Sequence, residues 1–283
     1  MAIILEGKPV AAAINEKLAR DIIALRDRGV LPTLAILRMG SRPDDISYER
    51  GAMKRCESLG VAVKNIVLPG DAPQSGLENA IRAVNADSSV HGLLLFRPLP
   101  EHINDREIRG LIDVKKDVDG ITDASLSGVF TGCGKGFAPC TAQACMELLE
   151  FYGTELAGKN VVIVGRSLVV GRPLAMLMLQ KNATVTICHT KTKNLKSVCK
   201  NADIVAAAAG RAEMLNGDYF SSGQTVLDVG INVNAEGKLC GDVLFAQAES
   251  SAGAITPVPG GIGTVTTAVL LKHVVESAQS MMR

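Results

Sequence analysis

Short runs of Val, Ile, Leu and Ala, each about the length of one strand, alternate with segments of helical periodicity along the chain. Hydrophobic residues make up 47% of the 283 residues, whereas aromatic residues make up 3% and Trp is absent. A core of aliphatic side chains in this alternation favours parallel strands buried between helices. The sequence therefore predicts three-layer α/β architecture.

The alternation divides into two sets of elements. In the first set, strands are predicted at 33–38, 62–68 and 92–96, helices at 10–28, 47–59, 77–85 and 104–112, and a loop at 113–136. In the second set, strands are predicted at 160–165, 184–188, 203–207 and 225–229, and helices at 141–152 and 265–278. The change between the sets predicts a domain boundary near residue 138.

Charge and composition exclude several classes of function. Thirty Lys and Arg against 29 Asp and Glu leave a formal charge of +1, and with so few aromatic residues we expect no nucleic-acid partner. No apolar run approaches the roughly 18 residues of a membrane span, so we expect no membrane association and a cytoplasmic location. Seven Cys without a C-x-x-C pair predict reduced thiols, and the four His make no ligand spacing with them, so we expect no metal.

The segment from Val161 to Pro173 is the most informative part of the sequence. A buried strand runs into a turn containing Gly165 and Gly171, and a helix follows. A glycine at the end of the strand lets the backbone approach a pyrophosphate, and the helix N-terminus supplies free N–H groups. This is not the G-x-G-x-x-G fingerprint, since Arg166 and Ser167 take the place of its middle glycine. A tight turn without any ligand therefore stays an alternative.

The end of the next strand bears on the choice of cofactor. NAD-binding folds place an Asp or Glu about 20 residues further on to accept from the ribose 2′-hydroxyl. Here the strand leads into His189-Thr190-Lys191-Thr192, with no carboxylate. These side chains, with Arg166 leaning across from the glycine turn, suit a 2′-phosphate and predict NADP. A solvated loop lysine is the alternative for Lys191.

Six blocks in order along the chain together resemble one family, the bifunctional methylenetetrahydrofolate dehydrogenase/cyclohydrolases of one-carbon metabolism. The blocks begin at Pro32, Lys116, Pro139, Gly165, Asp228 and Ile255. The resemblance implies an N-terminal α/β folate-cleft domain (1–138 plus 265–283) and a Rossmann-type NADP-binding domain (139–264), with the last helix packing back on the first domain. It also implies tetrahydrofolate substrates and a homodimer.

The resemblance also implies roles for particular residues. Tyr48 matches the family's active-site Tyr, which stacks on the pterin and assists proton transfer, and Asp119 matches the carboxylate that binds the pterin ring. Pro259 and Gly260 match the border of the folate cleft. The positions that match cofactor contacts are Gly165, Arg166, Ser167, Thr190, Lys191 and Ile231. Taken alone, Tyr48 also fits a helix surface and Asp119 a solvated loop.

Some positions depart from the family pattern, and these departures are expected to affect the family's two activities differently. The family pairs its Tyr with a Lys four residues later, where this chain has Ala52, and it has a Gln where this chain has Phe96. Whether Arg55 or Arg97 takes over the role of the lysine is left open by the sequence. A third change, Thr264 in place of Pro, is mild because Thr can also cap a helix.

These observations predict an NADP-dependent methylenetetrahydrofolate dehydrogenase whose cyclohydrolase step is weakened or absent. Hydride transfer needs chiefly positioning, whereas hydrolysis of the methenyl product needs general acid–base catalysis. The alternative is a non-catalytic or regulatory folate/NADP-binding paralogue. A third interpretation is a related two-domain dehydrogenase that acts on another small substrate.

Overall fold

The computed structural model describes residues 1–282. Within them, strands and helices follow one another as β1 (Ile3–Ile4), α1 (Gly7–Asp27), β2 (Thr33–Met39), α2 (Pro43–Leu59), β3 (Ala62–Leu68), α3 (Gln74–Ala86), β4 (Gly92–Leu95), α4 (Asp105–Leu111), α5 (Asp123–Thr131), α6 (Cys140–Phe151), β5 (Asn160–Val164), α7 (Gly171–Gln180), β6 (Thr184–Cys188), α8 (Leu195–Lys200), β7 (Ile204–Ala207), a 3-10 turn (Gly217–Tyr219), β8 (Thr225–Asp228), β9 (Asn232–Val233), β10 (Leu239–Cys240), α9 (Phe245–Ser251), β11 (Ala254–Ile255) and α10 (Ile262–Met281).

The chain forms two compact units. One, here called the three-stranded unit, comprises residues 13–138 and the described residues from 267 onward. Its parallel sheet has the order β3-β2-β4. Alternate residues of β2 face opposite sides: Ala35 and Leu37 join a buried cluster with α3 and α4, whereas Arg38 faces α2. The sheet is therefore a middle layer between helices.

The last helix packs against the three-stranded unit. In α10, a ring nitrogen of His273 lies 2.8 Å from the carbonyl of Val118, and the Ser277 hydroxyl donates to the carbonyl of Lys115 at 2.8 Å. The ring of Phe137 stacks on His273 with centroids 4.7 Å apart. The expected return of the last helix to the first domain is confirmed.

The other unit, here called the six-stranded unit, comprises residues 1–12 and 139–266. Its sheet is parallel throughout and has the order β1-β11-β8-β7-β5-β6. The strands are aliphatic, and Val162, Val164, Val205 and Val226 are at most 4% exposed. Because both faces are covered, near-continuous apolar runs mark these strands in the sequence. The α/β expectation is confirmed for both units.

Besides shifts of a few residues at the ends of elements, two features differ from the sequence-based expectations. The segment 113–136, predicted to be a loop, contains α5, because the Thr122 hydroxyl accepts the N–H of Ser125 as an N-cap and Gly132 ends the helix in the left-handed conformation. Residues 1–12, expected in the first domain, group with the six-stranded unit, because β1 pairs with β11. The division after residue 138 is where the chain changes unit.

Among residues 1–282, no helix has the length and apolar character needed to cross a lipid bilayer.

Candidate active site

Two glycines shape the turn between β5 and α7. Gly165 has φ +138°, and a Cβ built on it would lie 2.1 Å from the carbonyl oxygen of Ala208. A Cβ on Gly171 would lie 2.2 Å from the carbonyl oxygen of Gly165. The Ser167 hydroxyl accepts the N–H of Val170 at 3.0 Å. Any larger residue at either glycine would collide with backbone, so the sequence's glycine pair fits a close approach of chain segments at the start of α7.

The pocket at this turn lies where the strand order reverses. From β5 the chain moves to β6 on one side and then to β7 on the other, which leaves a crevice at the carboxyl ends of these strands. A pocket of about 450 Å³ occupies this position. Its lining residues are Val164, Gly165, Arg166, His189, Thr190, Thr192, Leu195, Ala209, Arg211 and Met214. Cationic, hydroxyl and apolar side chains thus converge at a dinucleotide-binding position of an open α/β sheet.

The predicted cofactor contacts divide into those that line the pocket and those that do not. Gly165, Arg166 and Thr190 line it together, whereas Lys191 is exposed on the turn beside it. In that turn the backbone N–H of Lys191 donates to Nδ1 of His189 at 3.1 Å. Ser167 lies in the β5–α7 turn, and Ile231 lies beyond β8 with 66% of its surface exposed.

Arg211 and Met214 line the pocket, although sequence analysis did not select them. No glycine motif or charge pattern marks them. The signal that could have found them is positional: the loop that contains them follows a predicted parallel strand at 203–207, and the crevice of such a sheet is bordered by more than one strand end.

Two buried carboxylates fix the loops after β7 and β8. Asp242 accepts the backbone N–H groups of Ala209, Gly210 and Arg211 at 2.5, 3.0 and 2.8 Å. Asp228 in turn accepts the backbone N–H of Asp242 at 2.9 Å. Burial raises the pKa of Asp228 to about 7, against the opposing effect of its backbone donors. The wall of the pocket that carries Arg211 is therefore held by backbone hydrogen bonds to Asp242.

In the three-stranded unit, α2 presents Tyr48 next to Phe96. The two rings meet edge-on with centroids 5.7 Å apart and an interplanar angle of 73°. Tyr48 is 46% exposed, whereas Phe96 is 8% and Ala52 3% exposed. The position four residues after Tyr48 thus carries a buried methyl group, and an aromatic ring lies beside Tyr48.

A buried ion pair fastens α2 to the sheet next to this position. Nε of Arg38 lies 2.7 Å from Oε2 of Glu49, and Nδ2 of Asn65 donates to the other oxygen of Glu49 at 3.0 Å. Arg38 also donates to the carbonyl of Gly40. The network joins β2, α2 and β3, and sequence analysis did not single it out.

Arg97, one of the two residues expected as candidates for a lysine's role, is bonded to Asp105. Its Nε donates to Oδ1 of Asp105 at 2.7 Å and its Nη2 to Oδ2 at 3.0 Å. This bidentate geometry holds the guanidinium against α4. Arg55, the other candidate, is exposed on α2.

Asp119 lies in a loop in which the charged side chains of Lys116 and Asp117 form hydrogen bonds within the protein. Nζ of Lys116 donates to the carbonyls of Val84, Asn85 and Asp87 at 2.7–2.9 Å. The side chain of Asp117 accepts from Ile121, Thr122 and Ser125 within α5's N-terminal turn and the residues before it. Of Lys116, Asp117 and Asp119, it is Asp119 that is half-buried rather than buried. The loop is thus fixed on either side of this carboxylate.

Pro259 and Gly260 lie in the turn between β11 and α10, where both are exposed. Gly260 has φ +106°, and its carbonyl accepts the N–H of Gly7 at 2.8 Å. Their expected place at the border of a folate cleft stays a prediction.

Comparison with family models decides what this chain is related to. A model described as tetrahydrofolate dehydrogenase/cyclohydrolase, catalytic domain, matches residues 5–119, and one described as tetrahydrofolate dehydrogenase/cyclohydrolase, NAD(P)-binding domain, matches residues 139–282. The chain belongs to this family. The resemblance inferred from the six sequence blocks is confirmed, and so is the expectation of a dinucleotide cofactor on the second domain, for which NADP fits the NAD(P)-binding description.

Individual relatives agree with the family assignment. The bifunctional protein FolD of Carboxydothermus hydrogenoformans is 51% identical over 281 residues, which cover 99% of this chain and 98% of the relative. The crystal structure of the bifunctional FolD enzyme from Campylobacter jejuni superposes with a TM-score of 0.96 at 38% identity and 99% coverage of both chains. The Trypanosoma brucei enzyme, complexed with NADP cofactor and inhibitor, gives a TM-score of 0.93 at 33% identity, covering 100% of this chain and 99% of that one. The chain therefore has the fold and the enzyme class of the methylenetetrahydrofolate dehydrogenase/cyclohydrolases.

Proposed function

We propose that this protein oxidises 5,10-methylenetetrahydrofolate to the methenyl compound with NADP⁺, and that its cyclohydrolase step is weakened or absent. The observation that carries the proposal is that the position four residues after Tyr48 carries the buried methyl group of Ala52 and that the ring of Phe96 meets the ring of Tyr48 edge-on, while the cofactor pocket is formed. Two positions at which the family carries an ammonium and an amide here carry a methyl group and an aromatic ring.

The two family reactions depend on these positions to different degrees. In the oxidation, the folate nitrogen lone pair drives loss of hydride from the methylene carbon, so the protein chiefly has to orient the substrate. NADP, when bound, supplies the hydride acceptor. Hydrolysis of the methenyl cation also requires a proton to leave the attacking water and a proton to reach the ring nitrogen, which is general acid–base work typically contributing about 10² to 10⁴ in rate.

The proposed roles of the chain's own residues are those that the family resemblance implies. The Tyr48 ring, held at an angle to Phe96, is the surface on which the pterin stacks, and Asp119 binds the pterin ring from its fixed loop. Gly165, Arg166, Ser167, Thr190, Lys191 and Ile231 bind the cofactor, with Arg166, Thr190 and Lys191 at its 2′-phosphate. Pro259 and Gly260 contact the folate. The absence of a carboxylate from the turn after β6 supports NADP over NAD.

The direct test follows both products in one reaction. With methylenetetrahydrofolate and NADP⁺, we expect NADPH to form while the methenyl compound, detected by its own absorbance, accumulates. When the methenyl compound is supplied alone, the protein should accelerate its disappearance little or not at all. Hydrolysis as fast as the dehydrogenase step would refute the proposal.

Separate titrations with a folate and with NADP⁺ distinguish the alternatives. Binding of both without NADPH formation would favour the non-catalytic paralogue, and NADP⁺ binding without folate binding would favour a dehydrogenase for another small substrate.

We also propose that the protein is a homodimer, as the family resemblance implies, and that it is located in the cytoplasm, as its reduced thiols suggest. Light scattering after size-exclusion chromatography should give twice the chain mass of 29.7 kDa. A mass equal to that of one chain at micromolar concentration would contradict the dimer.

A further inference from the structure

Arg211 faces the cofactor pocket from the side opposite the turn that carries Thr190. The loop after β7 contributes Ala209, Arg211 and Met214 to the lining, and the loop after β6 contributes His189, Thr190, Thr192 and Leu195. Since β5 lies between β6 and β7 in the sheet, these loops form two walls of one pocket, with Gly165 and Arg166 at its base.

The backbone at Arg211 is fixed, so the direction from which its side chain starts is fixed as well. Three consecutive N–H groups, those of Ala209, Gly210 and Arg211, converge on the carboxylate of Asp242, which is 0% exposed. A further donor, Nδ2 of Asn232, lies 2.9 Å from the same carboxylate. These hydrogen bonds hold the loop in one conformation, so Arg211 lines the pocket whether or not a ligand is bound.

The charges in the pocket favour an anion. Within residues 1–282, neither Arg166 nor Arg211 forms an ion pair, and the pocket lining described for this part of the chain includes no Asp or Glu. Thr190 and Thr192 add hydroxyl groups, while Leu195 and Met214 add apolar surface suited to a flat base. Two guanidinium groups beside hydroxyls match a phosphate monoester next to a nucleobase.

We propose that Arg211 is a second guanidinium contact of the cofactor's 2′-phosphate, together with Arg166, and so a residue that determines NADP specificity. The inference rests on the proposed use of NADP. Arg211 contributes more than Lys191 to the discrimination between NADP and NAD, because Arg211 lines the pocket and Lys191 does not.

Two small probes isolate the 2′-phosphate: adenosine 2′,5′-bisphosphate and 5′-AMP, which differ only in that group. Calorimetric titration of the full chain should show tighter binding of the bisphosphate.

Arg211→Ala removes a charge-assisted hydrogen bond to the 2′-phosphate, so it should weaken binding of the bisphosphate roughly ten- to 150-fold and leave that of 5′-AMP within about twofold. Arg211→Lys, which keeps the charge but not the fork of donors, should lie between the parent and the alanine variant. Lys200→Ala, an exposed lysine at the end of α8, is the matched control and should change neither affinity.

Each other result has a defined meaning. If Arg211→Ala weakens binding of both probes equally, the residue contacts the adenosine or stabilises the loop. If the preference for the bisphosphate is unchanged, Arg211 makes no contact with the 2′-phosphate. Either result overturns this inference but leaves the NADP proposal standing. A parent protein that binds the two probes equally would refute the NADP proposal and the inference with it.

Discussion

The ring of Tyr48 meets the ring of Phe96 edge-on, with centroids 5.7 Å apart and planes at 73°. Edge-to-face pairs at this separation are favourable, by about 0.5–1.5 kcal/mol beyond the area they bury. Phe96 therefore helps to fix the orientation of the tyrosine ring. The contact therefore bears on how Tyr48 would meet a substrate under the proposed function.

The proposed weakening of the cyclohydrolase step is tested by placing Lys at position 52 and Gln at position 96. We expect Ala52→Lys with Phe96→Gln to raise methenyl hydrolysis, within the general acid–base range of about 10² to 10⁴. Ala52→Lys alone should raise it less, because its ammonium would lie against an aromatic ring with no amide to orient it. Ala52→Met with Phe96→Gln controls for size without charge. Stopped-flow decay of the methenyl absorbance measures the rate, and a double variant no faster than this control would contradict the assignment of these positions.

The buried pair of Arg38 and Glu49 should be strongly coupled in stability. Removing one partner of a buried ion pair typically costs about 3–5 kcal/mol, whereas replacing both with apolar residues costs much less. We expect Arg38→Met or Glu49→Leu alone to lower the free energy of unfolding by this amount and the double variant to lower it less. Urea denaturation measures all three.

The exposed pair of Arg20 and Glu16 provides the matched control for that cycle. Its side chains are 69% and 74% exposed, so Arg20→Ala should cost about 0.3–0.5 kcal/mol. Additive effects of the two buried substitutions would contradict the coupling.

The sequence predicts most of this fold because short aliphatic runs mark the strands of the α/β alternation. β3 and β6 have the expected bounds, Ala62–Leu68 and Thr184–Cys188, although both lie at sheet edges with mostly half-buried or exposed residues, since their β-branched and aliphatic residues are bounded by turn residues. Helix α2 begins at Pro43, before the expected Ser47, because Pro43 starts the helix and Asp44 and Asp45 occupy its first turn.

What the sequence does not predict is set by contacts between distant segments. β1 is two residues long, and only its pairing with β11 makes it a strand. Arg211 belongs to the pocket because β7 lies beside β5, which follows from the strand order and not from any local motif. The buried pair of Arg38 and Glu49 joins a strand to a helix, and charged residues in a sequence are read as surface unless the partner is known.

The glycine at the end of β5 should tolerate no side chain. A Cβ on Gly165 would lie 2.1 Å from the Ala208 carbonyl, at φ +138°. We expect Gly165→Ala to abolish NADP binding and to lower thermal stability, because the strand end and the loop after β7 must separate. Gly158→Ala is the control: its φ is +73° but no atom lies within 4 Å of the added carbon, so it should cost about 1–2 kcal/mol and leave binding unchanged. Parental NADP affinity in Gly165→Ala would contradict the close approach.

Substitution of Lys191, in the turn after β6, tests the preference for NADP over NAD. We expect Lys191→Ala to raise the KM for NADP and to leave the KM for NAD nearly unchanged, since only NADP carries the 2′-phosphate. Lys193→Ala, two residues further along the same exposed segment, should change neither. Steady-state kinetics with both cofactors measure the effect, and a parent protein that turns over NAD as well as NADP would contradict the preference itself.

Cys133 should be the thiol that reacts first in the native protein. It is exposed, and a hydrogen bond from the Thr131 side chain, followed by one from the Lys135 backbone, lowers its pKa below the ordinary value of 9.0. Burial instead raises the pKa of Cys56 to about 11 and the pKa values of Cys145 and Cys199 to about 12.

Because the thiolate is the nucleophile, iodoacetamide near pH 8 should label Cys133 well before these three, and lowering the pH should slow that labelling as the thiolate is protonated. Peptide mapping by mass spectrometry follows each site separately, and labelling of Cys145 or Cys199 at the rate of Cys133 without loss of native structure would contradict their burial.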